Sequence, residues 1–218
     1  MNKKSIQEAI TQLKADSKER KFKQSVDLVV CLQDLNLKKP EDQLDFFMQL
    51  PHDKGKKAKI CAFVGDEIKA EAEKVCDTVI PQSSFNDYKT NLRKVKTLAK
   101  THDFFVAQAN IMAQVAQVFG RALGPKGKMP NPKSGGVFPP KANLKPIFEK
   151  FQKTLHVSAK KEPVVKVSIG KENIDEGHLV ENTLSTIDQV VHHLPREKHN
   201  IKSIYLKFTM SKPIKLKK

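Results

Sequence analysis

The chain has 218 residues, of which 40 are Lys or Arg and 24 are Asp or Glu, so its formal net charge is +16. A charge of this size adds self-repulsion to a compact fold but attracts polyanions, so nucleic acid is the first partner to expect and an anionic membrane surface the second. No segment reaches the roughly 20 apolar residues of a spanning helix, and no apolar stretch follows the basic N-terminus as in a secretion signal; we therefore expect a cytoplasmic protein without a membrane partner.

Residues 1–57 predict one helix and two strands. Apolar residues recur at helical spacing at Ile6, Ala9, Ile10 and Leu13. Ser5 and Glu8 have the spacing of a capping box, which would begin this helix at Ser5. Apolar residues then alternate with others from Val26 to Leu32 and again from Leu44 to Leu50, as in β-strands. One helix and two strands bury too little apolar surface to fold alone.

From about Ala58 the pattern changes to strands that alternate with helices. The predicted strands cover residues 60–64, 78–80 and 104–106, and the predicted helices cover residues 66–75, 87–100, 110–123 and 142–155. Asp66, Asn86 and Asn110 stand where the first three of these helices would be capped. Three alternations of strand and helix are typical of a parallel sheet covered by helices.

The C-terminal part returns to the composition of the first segment. It predicts a strand from Val164 to Gly170, an amphipathic helix from His178 to Leu194 and a strand from Ser203 to Met210. This part also lacks enough apolar surface for a core of its own. We therefore expect the two terminal segments to share one core.

If the two terminal segments share one core, the middle of the chain is an inserted domain. We predict one domain from residues 1–57 and 153–218 and a second from residues 58–152. The inserted domain carries 15 basic and 8 acidic side chains, a net charge of +7, and the terminal domain carries +9. Two chain crossings between the domains allow hinge motion.

Sequence signatures of catalysis and metal binding are missing. There is no HExxH, GxSxG or CxxC motif and no pair of carboxylates at a plausible catalytic spacing. Cys31, Cys61 and Cys76 lie far apart, in apolar patterns that favour buried structural thiols. We predict no catalytic residue, no metal site and no cofactor, so the protein is not expected to be an enzyme.

The segment Gly120–Pro132 is the most unusual stretch, because it combines glycines, prolines and basic residues. It is not a nucleotide-binding P-loop, since Ala122 stands five residues before Gly127, where that motif requires glycine. The pattern fits a rigid loop that ends a helix and a polyanion contact about equally.

A basic stripe is predicted on one helix. Its members share helical spacing, and no acid lies between Asp87 and Asp103; they are Lys89, Arg93, Lys96 and Lys100. Leu92, Val95 and Ala99 are expected on the opposite side. A solvated helix face is the favoured interpretation, and a second, transient RNA surface is the alternative.

Two further short segments carry residue types suited to RNA. Phe22 lies between Lys21 and Lys23 at the start of a strand, and aromatic rings beside cations can stack on unpaired bases. Thr209-Met210-Ser211 ends the last predicted strand, where hydroxyls and free backbone can bind phosphate or a 2′-hydroxyl. Each segment alone also fits an ordinary strand end.

Residues 120–132 read Gly-x-Ala-Leu-Gly-Pro-Lys-Gly-Lys-Met-Pro-Asn-Pro, which resembles the signature of the ribosomal protein L one family in its archaeal form. Further resemblances follow in order at residues 22–28, 37–41, 50–52, 103–107 and 205–210. Because this ordered series covers nearly the whole chain, the resemblance is highly specific.

The resemblance implies a two-domain fold, in which a split α+β sandwich domain formed by both termini carries an inserted Rossmann-like three-layer α/β domain. It also implies a structural protein of the mobile stalk of the large ribosomal subunit. Such a protein binds large-subunit ribosomal RNA and assists the release of deacylated tRNA from the exit site. Members of the family can also bind their own messenger RNA and repress its translation.

The family's strongest RNA contacts lie in the terminal domain. By motif match they fall on Lys21, Phe22, Ser25, Thr209, Met210 and Ser211. Gly170 and Lys171 match a further contacting loop. Ser211 stands where the family usually has glycine, which would hinder a close approach of this backbone to RNA.

Two other functions are compatible with parts of the sequence. An enzyme whose middle domain binds a nucleotide would explain the alternating strands and helices, although the phosphate-binding fingerprint is missing. A non-specific basic chaperone or membrane-surface protein would explain the charge, and it would lose nearly all RNA affinity at high salt.

Overall fold

The computed structural model describes residues 3–18, 20–140 and 142–216. The chain forms two compact units, one from Met1–Lys56 with Lys153–Lys218 and the other from Lys57–Gln152. The first contains an antiparallel sheet and the second a parallel sheet. The predicted fold class, a split α+β domain with an inserted three-layer α/β domain, is confirmed.

In the described part of the chain, the helices are α1 (Lys3–Asp16), α2 (Lys69–Val75), α3 (Phe85–Thr90), α4 (Leu92–Thr101), α5 (Met112–Leu123), α6 (Leu144–Lys153) and α7 (Glu176–His192). The strands are β1 (Ser25–Leu32), β2 (Leu44–Gln49), β3 (Ile60–Val64), β4 (Thr78–Pro81), β5 (Phe104–Gln108), β6 (Val137–Phe138), β7 (Thr154–Ala159), β8 (Val164–Lys171), β9 (Ile201–Phe208) and β10 (Ile214–Lys215).

A four-stranded antiparallel sheet lies at the centre of the first unit, in the order β10-β9-β1-β8. β1 lies between β8 and β9 and runs opposite to both. The start of β1 therefore lies beside the ends of its two neighbours, so that Ser25 pairs with Lys171 and Val26 with Phe208. This end of the sheet brings together segments from both parts of the sequence.

One core joins the two terminal segments. Alternate side chains of β1 are buried at Val26, Leu28, Val30 and Leu32, because successive residues of a strand point to opposite faces. They pack in the same cluster as the buried apolar residues of α1 and α7. The antiparallel ribbon of β2 and β7 adds Met48 and Val157 to this cluster. The first unit therefore depends on residues from both segments.

The second unit is a parallel sheet with helices on both faces. Its strand order is β4-β3-β5-β6, and every residue of β3 is buried. Phe63 packs on one face with Val95 of α4 and Phe119 of α5. Ile60 packs on the other face with Phe151 of α6. Burial on both faces explains the continuous apolar run of β3, since both sides of a covered parallel strand need apolar side chains.

Several predicted helix boundaries are wrong. α1 includes Ser5 in its interior, so the predicted capping box does not begin the helix there. The single helix expected over residues 87–100 is two helices, because Asn91 has a non-helical backbone and its side chain accepts a hydrogen bond from Lys94 N. Asp66 and Asn110 lie inside 3-10 turns that precede helices, rather than at caps.

The loop at the end of α5 is tied to α4. Lys128 Nζ donates hydrogen bonds to the carbonyl oxygens of Ala99, at 3.2 Å, and His102, at 2.6 Å. Burial lowers the pKa of Lys128, with Lys126 adding to the shift and Asp103 opposing it. Carbonyl groups at a helix C-terminus lack partners within the helix, and a lysine can satisfy them. Lys128 is therefore a structural residue, which favours the rigid-loop interpretation at this position.

Replacing Lys128 with Met should lower the free energy of unfolding by about 1–2 kcal/mol, because two helix-terminal carbonyls lose a charged donor. Urea denaturation followed by circular dichroism would measure the change. Lys126→Met is the matched control, since Lys126 is an exposed lysine of the same loop. Equal effects of the two substitutions would contradict the structural role of Lys128.

Candidate nucleic-acid interface

The predicted RNA contacts at the two ends of the sequence meet at one end of the antiparallel sheet. Ser25 N donates a hydrogen bond to Thr209 Oγ1 at 3.0 Å, and Thr209 N donates to Ser25 O at 3.1 Å. We call this region the strand-end surface, and it is formed by Lys21, Phe22, Ser25, Lys171, Thr209, Met210 and Ser211. Its parts belong to one folded unit and lie on the molecular surface.

Two large apolar side chains of the strand-end surface face solvent. Among the described residues, only Phe22, Met210 and Leu92 are large apolar residues with exposed side chains, and Phe22 and Met210 are 51% and 61% exposed. Exposed apolar side chains that lie together in space often mark contact sites. A benzyl ring and a thioether can pack on a base or on a ribose, so their exposure suits RNA binding.

Gln24 holds the strand-end surface together, and the sequence did not single it out. The residue is 2% exposed, and its Oε1 accepts a hydrogen bond from Met210 N at 3.2 Å. Its backbone oxygen accepts from Glu172 N at 3.0 Å. Gln24 therefore connects the segment before β1 with the segments that follow β8 and β9.

Lys171 also has a positioning role. Its Nζ donates a hydrogen bond to the backbone oxygen of Lys23 at 3.0 Å, and its backbone pairs with Ser25 in the sheet. The ammonium group therefore orients the segment that carries Phe22 while remaining half-buried at the surface.

Ser211 stabilises the turn after β9 through its side chain. Ser211 Oγ accepts a hydrogen bond from Phe208 N at 2.8 Å and donates one to Lys212 O at 3.1 Å. Among the described non-glycine residues, a positive φ occurs at Asp34 and Glu197, so Ser211 does not have the left-handed backbone that would favour glycine. The serine hydroxyl therefore acts within the turn.

Gly170, another predicted contact, is buried. A Cβ added at this position would lie 2.6 Å from Leu179 Cδ2 and 3.0 Å from Ile174 Cδ1. Glycine is thus required here by the packing of β8 against α7. This packing role leaves little of Gly170 accessible, and we leave it out of the strand-end surface.

A carboxylate on β1 lies among the lysines of this region. Burial raises the pKa of Asp27, although a hydrogen bond with Ser168 and the charges of Lys207 and Lys171 oppose the shift. Two lysines face one acid, so this part of the sheet remains net positive. Net positive charge supplies the attraction to phosphate that does not depend on sequence.

The parallel sheet of the second unit does not offer a free phosphate-binding turn after β3. Ligands of such sheets bind at the carboxyl ends of the strands. There, Gly65 N donates a hydrogen bond to Gln108 Oε1 at 2.7 Å, and Gln108 is 1% exposed. Because the backbone N–H that would bind a phosphate is already paired, the nucleotide-enzyme interpretation is disfavoured.

The basic stripe is divided between two helices. Lys89 lies on α3, whereas Arg93, Lys96 and Lys100 lie on α4, and all four are exposed. Val95 and Ala99 are buried as predicted, but Leu92 is 43% exposed, which corrects its assignment to the packed side. This exposure is compatible with both a solvated face and a second RNA surface.

Within residues 3–18, 20–140 and 142–216, the side chains form no cluster of three or more potential metal ligands. No helix in this same part of the chain combines the length and the apolar character needed to cross a membrane.

Comparison with known proteins defines the class of the molecule. Residues 13–212 match the model of the ribosomal protein L1p/L10e family. The chain belongs to this family, which confirms the resemblance found in its sequence.

Individual relatives match over the full length of the chain. The large ribosomal subunit protein uL1 of Thermococcus kodakarensis is 35% identical over 218 residues, which cover 100% of this chain and 99% of that protein. The protein of the same name from Methanocaldococcus jannaschii is 32% identical, with 100% and 97% covered. That of Methanothermococcus thermolithotrophicus is 34% identical, with both chains fully covered.

Gly170→Ala should lower the free energy of unfolding by about 1–3 kcal/mol, because the new methyl group would overlap Leu179 in the core. Chemical denaturation would measure the loss. Gly120→Ala is the control, since a Cβ there meets nothing within 4 Å and alanine is the better helix former. A Gly170→Ala protein as stable as the wild type would contradict the packing requirement.

Proposed function

We propose that this chain is a structural protein of the large ribosomal subunit and binds large-subunit ribosomal RNA through the strand-end surface. The observation that carries the proposal is the pairing of Ser25 with Thr209, beside the exposed Phe22 and Met210. Membership of the ribosomal protein L1p/L10e family supports the same conclusion.

Recognition would combine fixed contacts with a diffuse electrostatic attraction. The two hydrogen bonds between Ser25 and Thr209 set these residues in place before RNA arrives, so little conformational entropy is lost on binding. Phe22 and Met210 would pack on an unstacked base or on ribose. Lys21 would bind phosphate and contribute the salt-dependent part of the affinity. The protein would therefore recognise the shape of the RNA through a small set of rigidly held groups.

Two further roles are part of the proposal. If the strand-end surface recognises a particular RNA shape, a similar shape in the protein's own messenger RNA would compete for it, and binding there would repress translation. Assistance in releasing deacylated tRNA from the exit site is the second role. The two chain crossings, near residues 56–57 and 152–153, would let the second unit move while the first stays anchored.

Crosslinking the protein to RNA in cells, followed by sequencing of the recovered RNA, tests the proposal. We expect most reads to fall in one folded region of large-subunit ribosomal RNA, with smaller amounts of the protein's own messenger RNA and of tRNA. Reads spread evenly over abundant RNAs would instead support a non-specific basic chaperone.

Thr209→Val should weaken binding to the recovered ribosomal RNA region by about 1–3 kcal/mol and leave binding to unrelated RNA nearly unchanged. The physical reason is that the substitution removes a surface hydroxyl and leaves Ser25 N without its side-chain acceptor. Filter-binding titrations of both RNAs at one salt concentration would measure the difference.

Thr11→Val is the matched control for this substitution, because Thr11 is an exposed threonine on α1 whose hydroxyl donates only to the helix backbone at Gln7. Equal losses on specific and unrelated RNA in Thr209→Val would count against shape-specific recognition.

A further inference from the structure

A cleft of about 470 Å³ lies beside the strand-end surface, between the end of α1 and the segment that follows β9. Buried Leu13 and half-buried Ile214 give it apolar lining, and Met210 and Ser211 belong to both the cleft and the strand-end surface. Its volume falls within the roughly 300–1,000 Å³ of sites that take a small organic group. The cleft is therefore continuous with the proposed RNA contacts.

The side-chain amide of Gln24 borders the cleft. Gln24 Oε1 is occupied by Met210 N, but within the described part of the chain Gln24 Nε2 has no hydrogen-bond partner. The Gln24 residue is 2% exposed. Among the described residues, no side-chain nitrogen or oxygen is both sealed from solvent and without a partner, so the Nε2 donor is open to the cleft and can bond to a ligand that enters it.

Cations surround this cleft. Lys18, Arg20 and Lys212 line it against one acid, Asp16, and none of the three cations forms an ion pair with a described residue. Glu19 lies between two of them in sequence and outside the described residues. Unpaired cations around an apolar lining suit a ligand that is flat and apolar at one end and anionic at the other.

We propose that the cleft receives one unstacked nucleotide of the bound RNA, with the base against Ile214 and Met210 and the phosphate at Arg20 or Lys212. This inference rests on the proposed RNA-binding function and extends it to a base-specific contact. The Gln24 amide would donate to a carbonyl oxygen or ring nitrogen of the base, since unpaired bases are read through such edge contacts. Arg20 can also stack on a base face.

Abasic scanning combined with protein variants tests the proposal. The probe is the ribosomal RNA region recovered by crosslinking, synthesised with a single abasic nucleotide at each unpaired position in turn. With the wild-type protein, an abasic substitution at the cleft position should weaken binding about tenfold.

Two protein variants should abolish the loss of affinity that the abasic nucleotide causes. Gln24→Met removes the amide donor at similar size together with the Oε1 acceptor of Met210 N, whereas Ser17→Trp fills the cleft from the end of α1 and leaves Gln24 in place. Gln7→Met is the control, because Gln7 is exposed on α1 and does not line the cleft. A substitution that distorts the protein would weaken binding to every RNA of the series alike. Occupancy of the cleft is shown only if the loss of affinity caused by an abasic nucleotide disappears at one position.

The possible results distinguish the proposed nucleotide site in the cleft from the proposed RNA-binding function. If the wild-type protein binds the region specifically but every abasic penalty persists in Gln24→Met and Ser17→Trp, the cleft is not a nucleotide site and the RNA-binding function stands. If the wild-type protein does not distinguish the region from unrelated RNA, both proposals fall. A penalty that disappears at one position in both variants, and persists in Gln7→Met, supports the cleft.

Discussion

The two hydrogen bonds between Ser25 and Thr209 are the interaction on which the strand-end surface depends. They join residues that are 184 positions apart in sequence, and they lie next to the end of the ladder between β1 and β9. Phe22 lies three residues before Ser25, and Met210 directly follows Thr209, so the same hydrogen bonds bring the segments that carry the two exposed apolar side chains to one end of the sheet. A preset arrangement matters because recognition of folded RNA depends on contacts that already match its shape.

Much of the fold could be predicted, because its strands have distinct patterns. β1 alternates between core and surface, whereas β3 is apolar throughout because helices cover both of its faces. These two sequence patterns distinguish the split antiparallel domain from the inserted parallel domain. The motif match also brought Phe22 and Thr209 into one hypothesis, and the structure places the segments that carry them at the same end of the antiparallel sheet.

The features that sequence reasoning missed depend on contacts between distant residues. β7 follows α6 directly at Thr154, with no turn residue to separate them, so residues 142–155 were predicted as one helix. The role of Gln24 arises from a hydrogen bond with Met210, 186 positions away. Local propensity contains no information about either partner, and a polar residue before a strand gives no sign that it will be buried.

The split construction of the first unit has a consequence for its synthesis. The second unit is one continuous segment, and domains fold largely as their segments leave the ribosome. Its parallel sheet can therefore form while Ile201–Phe208 is still untranslated. β1, however, lacks one neighbour until that strand is made, and Ser25 lacks its partner Thr209. The surface proposed to bind RNA thus forms only after β9 and Thr209 have been translated, so a nascent chain that has not yet reached Thr209 cannot occupy the RNA site.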